Sequence, residues 1–91
     1  MRNKPILFDR VFIKNYKKRV LPNVKLHKQY TKMVLLFIQD PFHPQLKNHK
    51  LRGKMKEYRA FFIENDCRVI YFETKTQILF LNVGKHEEVY R

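Results

Sequence analysis

The alternation of apolar and polar residues divides the chain into two parts with different periods. In the first, Phe12, Tyr16 and Val20 recur every four residues with Lys14, Lys17 and Lys18 outside them, the spacing of one buried helical face. Asp9 suits the N-cap of that helix, and Pro22 stops it. A second helix starts at Asn23, carries Leu26, Tyr30, Met33, Val34, Phe37 and Ile38 as an apolar stripe, and ends at Pro41. After "PFHPQ" (41–45) the period shortens. "EYRAFFIE" (57–64), "CRVIYFE" (67–73) and "TQILFLNV" (76–83) are rich in β-branched and aromatic residues, and the polar connections "END" and "TKT" separate them. These segments predict a three-strand meander, which "PILF" (5–8) extends at one edge. A sheet of this kind must bury one face, and the two helices supply the cover. The expected fold is therefore α+β, two N-terminal helices packed on one face of a roughly four-stranded antiparallel sheet. Its other face is left to solvent or to a ligand.

Ninety-one residues suffice for a single domain, 1–91, with one modest core. Eight phenylalanines and five tyrosines make a wholly disordered chain untenable despite the charge. The longest apolar run, "MVLLFI" (33–38), is far short of the roughly 20 residues that span a membrane. No secretory signal is visible in "MRNKPILFDR", and the single cysteine, Cys67, has no internal disulfide partner, so a cytoplasmic protein is expected.

Charge changes this picture most. The net charge is +12, and between Arg10 and Lys56 there are 13 basic residues against one acid, Asp40. Such a field attracts nucleic acid, an anionic membrane or an acidic protein, unless it is merely a solvated surface.

Candidate chemistry is sparse. His27, His43, His49, His86 and Cys67 show no zinc-like spacing, so neither a metal nor another cofactor is expected. No nucleophile triad or glycine-rich phosphate loop is present. Both glycines, however, precede a lysine and lie near a histidine, in "HKLRGK" (49–54) and "VGKH" (83–86). On spacing alone Asp66 reads equally as an ordinary hairpin residue and Arg68 as a cross-strand partner for a glutamate. His49 reads as a solvent-exposed loop histidine, His86 as part of a solvated tail, and Tyr90 as a ring that closes the core.

The pattern "NHKLRGKMKEYRAFFIENDCRVIYF" followed by "LFLNVGKHEEVY" resembles the RelE/ParE superfamily of toxin–antitoxin toxins, and within it the YafQ branch of mRNA interferases. The resemblance rests on a His-x-Leu-x-Gly segment, a Tyr-Arg at a strand start, an Asp at the first hairpin, an Ile-Tyr in the next strand, and a closing Gly-x-His with a terminal aromatic. It implies ribosome-dependent, metal-independent cleavage of mRNA by attack of the 2′-hydroxyl, which inhibits translation. It also implies an acidic antitoxin partner in a toxin–antitoxin hetero-oligomer, with the ribosome and mRNA as targets. Carried over position by position, the catalytic set is His49, Asp66 and His86, with Arg68 for phosphate stabilisation and Tyr90 for stacking. Lys50, Lys54, Arg59 and Lys85 are the candidate RNA-backbone contacts. Asp66 serves as base or as orienter of a base. Histidine, titrating near 6.5, makes His86 the better acid. One position departs from the pattern: a further catalytic histidine of the branch corresponds to Phe62, which cannot transfer protons. A gyrase-poisoning ParE-like toxin, or a catalytically weakened RNA- or ribosome-binding member, are the alternatives.

Overall fold

The computed structural model describes residues 4–90. The chain runs as β1 (Ile6–Phe8), α1 (Arg10–Asn15), a π-helical continuation (Tyr16–Val20), α2 (Val24–Gln39), β2 (His49–Lys50), β3 (Arg59–Glu64), β4 (Cys67–Glu73), β5 (Ile78–Gly84) and a short α3 (His86–Val89). Single turns of 3-10 helix at Pro44–Leu46 and Gly53–Met55 flank β2. Both expected helix caps are present: the Asp9 carboxylate accepts the N–H of Val11 at 2.9 Å, and the Asn23 side chain accepts that of Leu26 at 3.1 Å.

The sheet has five strands in the order β1-β5-β4-β3-β2, with β2 through β5 antiparallel and β1 parallel to β5. This differs from the expected four antiparallel strands in two ways, each with a physical reason. Period-two patterning reports which face a side chain takes, not which way a strand runs, so it is the same for β1 parallel to β5, with Ile6, Leu7 and Phe8 opposite Ile78, Leu79 and Phe80, as for an antiparallel edge. The fifth strand, β2, is two residues long, too short to show any period.

The helices cover one face. Phe12, Val20, Met33 and Phe37 meet Phe61, Ile63, Val69, Tyr71, Ile78, Phe80 and Val83 in one buried cluster. At its centre the ring of Phe37 stacks on Phe61 at 4.5 Å and meets Tyr71 edge-on at 5.0 Å. A second, smaller cluster forms on the opposite face. Ala60 and Ile70 lie under Val89 of α3, with Leu51, Met55, Leu81 and Tyr90 around them. That face is thus only partly roofed, by α3 at one end and by residues 49–58 at the other. The concavity between these two roofs is the candidate site.

Candidate active site

The β2 side is fixed by Asn48. Lys47 ends the Pro44–Leu46 turn in a left-handed conformation, φ 48°. Asn48 then turns inward, donating to the carbonyl of Pro41 and to the Tyr71 hydroxyl, each at 2.8 Å, while accepting from Arg59 Nε at 2.9 Å. His49, next in the chain, has its Nδ1 2.9 Å from the Lys47 carbonyl. A carbonyl oxygen only accepts, so Nδ1 carries the hydrogen and Nε2 of the neutral ring holds the lone pair.

The centre is the β3–β4 hairpin. Asn65 adopts φ 43°, and the tight turn places Asp66 beside Arg68. Arg68 is 7% exposed, so its charge has to be compensated locally. It donates to the backbone carbonyl of Asp66 from Nε at 3.2 Å and from Nη2 at 3.1 Å, and it pairs with the Asp66 carboxylate through Oδ1. Its guanidinium also lies 4.5 Å from the centre of the Phe62 ring and 5.5 Å from that of Tyr90. The other Asp66 oxygen accepts the backbone N–H of His86 at 3.2 Å.

The third side is the chain's C-terminal turn. Gly84 has φ 155°, and a Cβ there would stand 2.7 Å from Arg19 Nη1 and 2.8 Å from Glu88 Oε1. Arg19 of the π-helical stretch donates to the Val83 carbonyl at 2.8 Å and reaches Glu88 at 3.5 Å. Glu88 Oε1 accepts the N–H of Lys85 at 2.7 Å, closing the first turn of α3. This clasp sets His86 at the start of α3, exposed, with its ring edge-on to Tyr90 at 4.6 Å. The Tyr90 hydroxyl is buried and has no hydrogen-bond partner among the described residues.

The result is a groove of about 440 Å³ that brings together His49 and Lys50 from β2, Arg68 from β4, His86 from α3 and Tyr90 just after it. Asp66 does not line it; its oxygens are taken by Arg68 and the His86 backbone. Lys54 and Lys85 are exposed outside the groove lining. Arg59 lies elsewhere: it hydrogen-bonds Asn48, and its guanidinium sits 5.1 Å from the centre of the Phe42 ring. Arg52, which lines the groove, and the supports Asn48, Arg19 and Glu88 escaped the sequence reading. Only Arg52 had a local signal, its place inside "HKLRGK". No three His, Cys, Asp or Glu side chains among the described residues gather where they could hold a metal ion. Nor is any described helix long and apolar enough to cross a membrane.

The family model for YafQ, the bacterial toxin of type II toxin–antitoxin systems, matches residues 4–91. The chain belongs to this family. No curated protein sequence matches it significantly. Among solved structures, YafQ from E. coli strain BL21(DE3) superposes with a TM-score of 0.79 at 23% identity, covering 98% of this chain and 100% of that one. YafQ in the E. coli DinJ–YafQ toxin–antitoxin complex gives 0.77 at 23% identity, over 99% and 100% of the two chains. The metal-bound toxin from Helicobacter pylori gives 0.73 at 26% identity, over 94% and 98%. This YafQ-family toxin therefore shares the helix-on-sheet fold of its relatives across nearly its whole described length.

Proposed function

We propose that this YafQ-family toxin is an endoribonuclease that cuts mRNA on the ribosome, using side chains alone. The observation that carries the reading is the convergence of two histidines and a buried arginine on one groove. Cleavage at a phosphodiester needs a base for the 2′-hydroxyl, a cation for the crowded phosphate and an acid for the departing oxygen. His49 takes the 2′-hydroxyl proton on Nε2, and the freed 2′-oxygen attacks phosphorus. Arg68 balances the charge on the non-bridging oxygens. The bond to the 5′-oxygen breaks as His86, in its imidazolium form, protonates that oxygen. The products are a 2′,3′-cyclic phosphate and a 5′-hydroxyl. Tyr90 borders the site as a stacking surface for the neighbouring base. Asp66 acts as a positioning residue, because both its oxygens hold other parts of the site.

The ribosome supplies most of the binding through its phosphates. Lys14, Lys17, Lys18, Lys25, Lys28 and Lys32 are all exposed along the two helices, suited to counterion release from ribosomal RNA. An acidic antitoxin, the counterpart of DinJ in the E. coli complexes, restrains the toxin by occupying this basic surface.

The test is a translation reaction with purified ribosomes and a defined mRNA. The toxin cuts the message at defined codon positions and leaves ribosome-free RNA largely intact. His49→Ala and His86→Ala each lower the cleavage rate by about 10²- to 10⁴-fold while ribosome binding persists. Parental rates in both variants would sink the assignment.

A further inference from the structure

A row of three side chains crosses the open face of the sheet. β2 pairs His49 with Ala60, and β3 pairs Phe62 with Arg68, so His49, Phe62 and Arg68 come from three adjacent strands and share one face. The middle residue touches both others. The Phe62 ring stacks with the His49 imidazole at 5.9 Å, with 27° between the planes, and carries the Arg68 guanidinium 4.5 Å from its centre. Phe62 directly opposite Arg68 is the last pair of the regular β3–β4 register, which shifts between Phe62 and Glu64.

We propose that Phe62 is a positioning residue, a single aromatic platform that holds the His49 imidazole and the Arg68 guanidinium in register with each other. The proposal rests on the endonuclease reading above. The hydrogen bonds of the Arg68 side chain stay within its own hairpin, at Asp66, and that of the His49 ring stays within its own loop, at the Lys47 carbonyl. Phe62 is the element that bridges the base side of the groove to the phosphate side. A rigid ring suits this task, since it has two torsions, a flat face for the imidazole and a negative quadrupole for the guanidinium. A residue that cannot titrate thus stands between the two groups and leaves proton transfer to His49 and His86.

The experiment compares Phe62→Leu with Phe62→Tyr. Leucine keeps the apolar volume but removes the ring; tyrosine keeps the ring. Phe62→Leu lowers the single-turnover cleavage rate by about 10- to 100-fold with ribosome affinity unchanged, the penalty expected of misplaced catalytic groups. Phe62→Tyr stays within about threefold of the parent, the ring having been kept. Independently, NMR of the free toxin reads the ring-current shift of the His49 ring protons, present in the parent and in Phe62→Tyr and lost in Phe62→Leu. Should the leucine variant fail to fold, Phe62→Met takes its place with the same outcomes. A folded non-aromatic variant that cuts at the parental rate overturns the proposal, as does a folded tyrosine variant as slow as leucine. A parental toxin that leaves ribosome-bound mRNA intact overturns the endonuclease reading instead, and the His49 shift alone then decides whether the platform exists.

Discussion

Asp66 and His86 lie 20 residues apart in sequence, and the carboxylate of the first accepts the backbone N–H of the second at 3.2 Å. The same carboxylate pairs with Arg68 through its other oxygen. One side chain on the β3–β4 turn therefore holds both Arg68, the cation proposed to meet the phosphate, and the segment that carries the candidate acid.

This geometry separates a positioning role for Asp66 from a role as base. Asparagine retains one acceptor oxygen for the His86 N–H but gives up the ion pair, whereas alanine gives up both. Cleavage should fall in the order parent, Asp66→Asn, Asp66→Ala, with alanine about 100-fold down if the groups are displaced by an ångström or so. A base would lose nearly everything in both variants. Single-turnover rates on programmed ribosomes discriminate, and an asparagine variant as inactive as alanine would return Asp66 to the role of base.

Gly84 is the position where the C-terminal clasp depends on a missing side chain. Its φ of 155° disfavours other residues, and a Cβ would press on Arg19 and Glu88 at 2.7 and 2.8 Å. Gly84→Ala should destabilise the fold by about 1–3 kcal/mol. For a domain of this size that lowers the melting temperature by about 4–8 °C per kcal/mol. Gly53 is the control: its φ is 65°, but nothing stands within 4 Å of an added Cβ. Gly53→Ala should cost about 1–2 kcal/mol, the left-handed penalty alone. A Gly84→Ala variant that melts with the parent would show that the clasp is slack.

The contrast between these residues explains what was legible in the sequence. Helix α2 could be read because Asn23, the 3.6-residue stripe and Pro41 are local signals, and the meander because aromatic and β-branched residues cluster between polar turns. His49, Asp66, Arg68 and His86 were candidates only through the family pattern, since a histidine on a surface loop and an aspartate in a turn have ordinary explanations. Asn48, Arg19 and Glu88 were invisible for a different reason. Each works through contacts distant in sequence, such as Asn48 with Tyr71 and Arg19 with Val83, which no local pattern encodes. The direction of β1 was hidden too, because alternation is the same in a parallel and an antiparallel strand.

Cys67, beside Asp66 in the hairpin, is predicted to be inert. Burial first, then the nearby Glu88 and Glu64 charges, push its thiol up to about 11 from an ordinary 9.0. The native toxin at neutral pH should therefore react with iodoacetamide far more slowly than the denatured chain. The same shift has a signed effect on stability. Below pH 9 the thiol is protonated in both states and its contribution is complete. Between about 9 and about 11 the unfolded chain ionises first, so stability falls as pH rises. Buried Tyr71 and half-buried Tyr30, whose phenols are also raised by burial, extend the fall to higher pH. Urea midpoints across this range should decline less steeply in Cys67→Ala; an unchanged slope would show that the thiol is not linked to folding.

Asn48 should be the supporting residue whose loss is felt in both stability and chemistry. Alanine removes two donated hydrogen bonds, to the Pro41 carbonyl and the Tyr71 hydroxyl, and the acceptor of Arg59 Nε. Leaving those partners unsatisfied at a half-buried position should cost about 1–3 kcal/mol, read as a lower urea midpoint with unchanged slope. Aspartate isolates one of these contacts. It keeps an acceptor for Arg59, and the Tyr71 hydroxyl can turn to donate to it, but it sets a carboxylate oxygen against the Pro41 carbonyl, which cannot donate, so Asn48→Asp should be less stable than the parent at neutral pH. Its stability should recover as acid protonates that carboxyl and restores a donor. The effect on cleavage follows from chain continuity, since Asn48 directly precedes His49 and its side chain anchors the backbone there. At a temperature where Asn48→Ala is fully folded, it should bind ribosomes normally yet cut more slowly. Parental cleavage by the folded variant would mean that β2 pairing with Ala60 and Arg59 is sufficient to place His49.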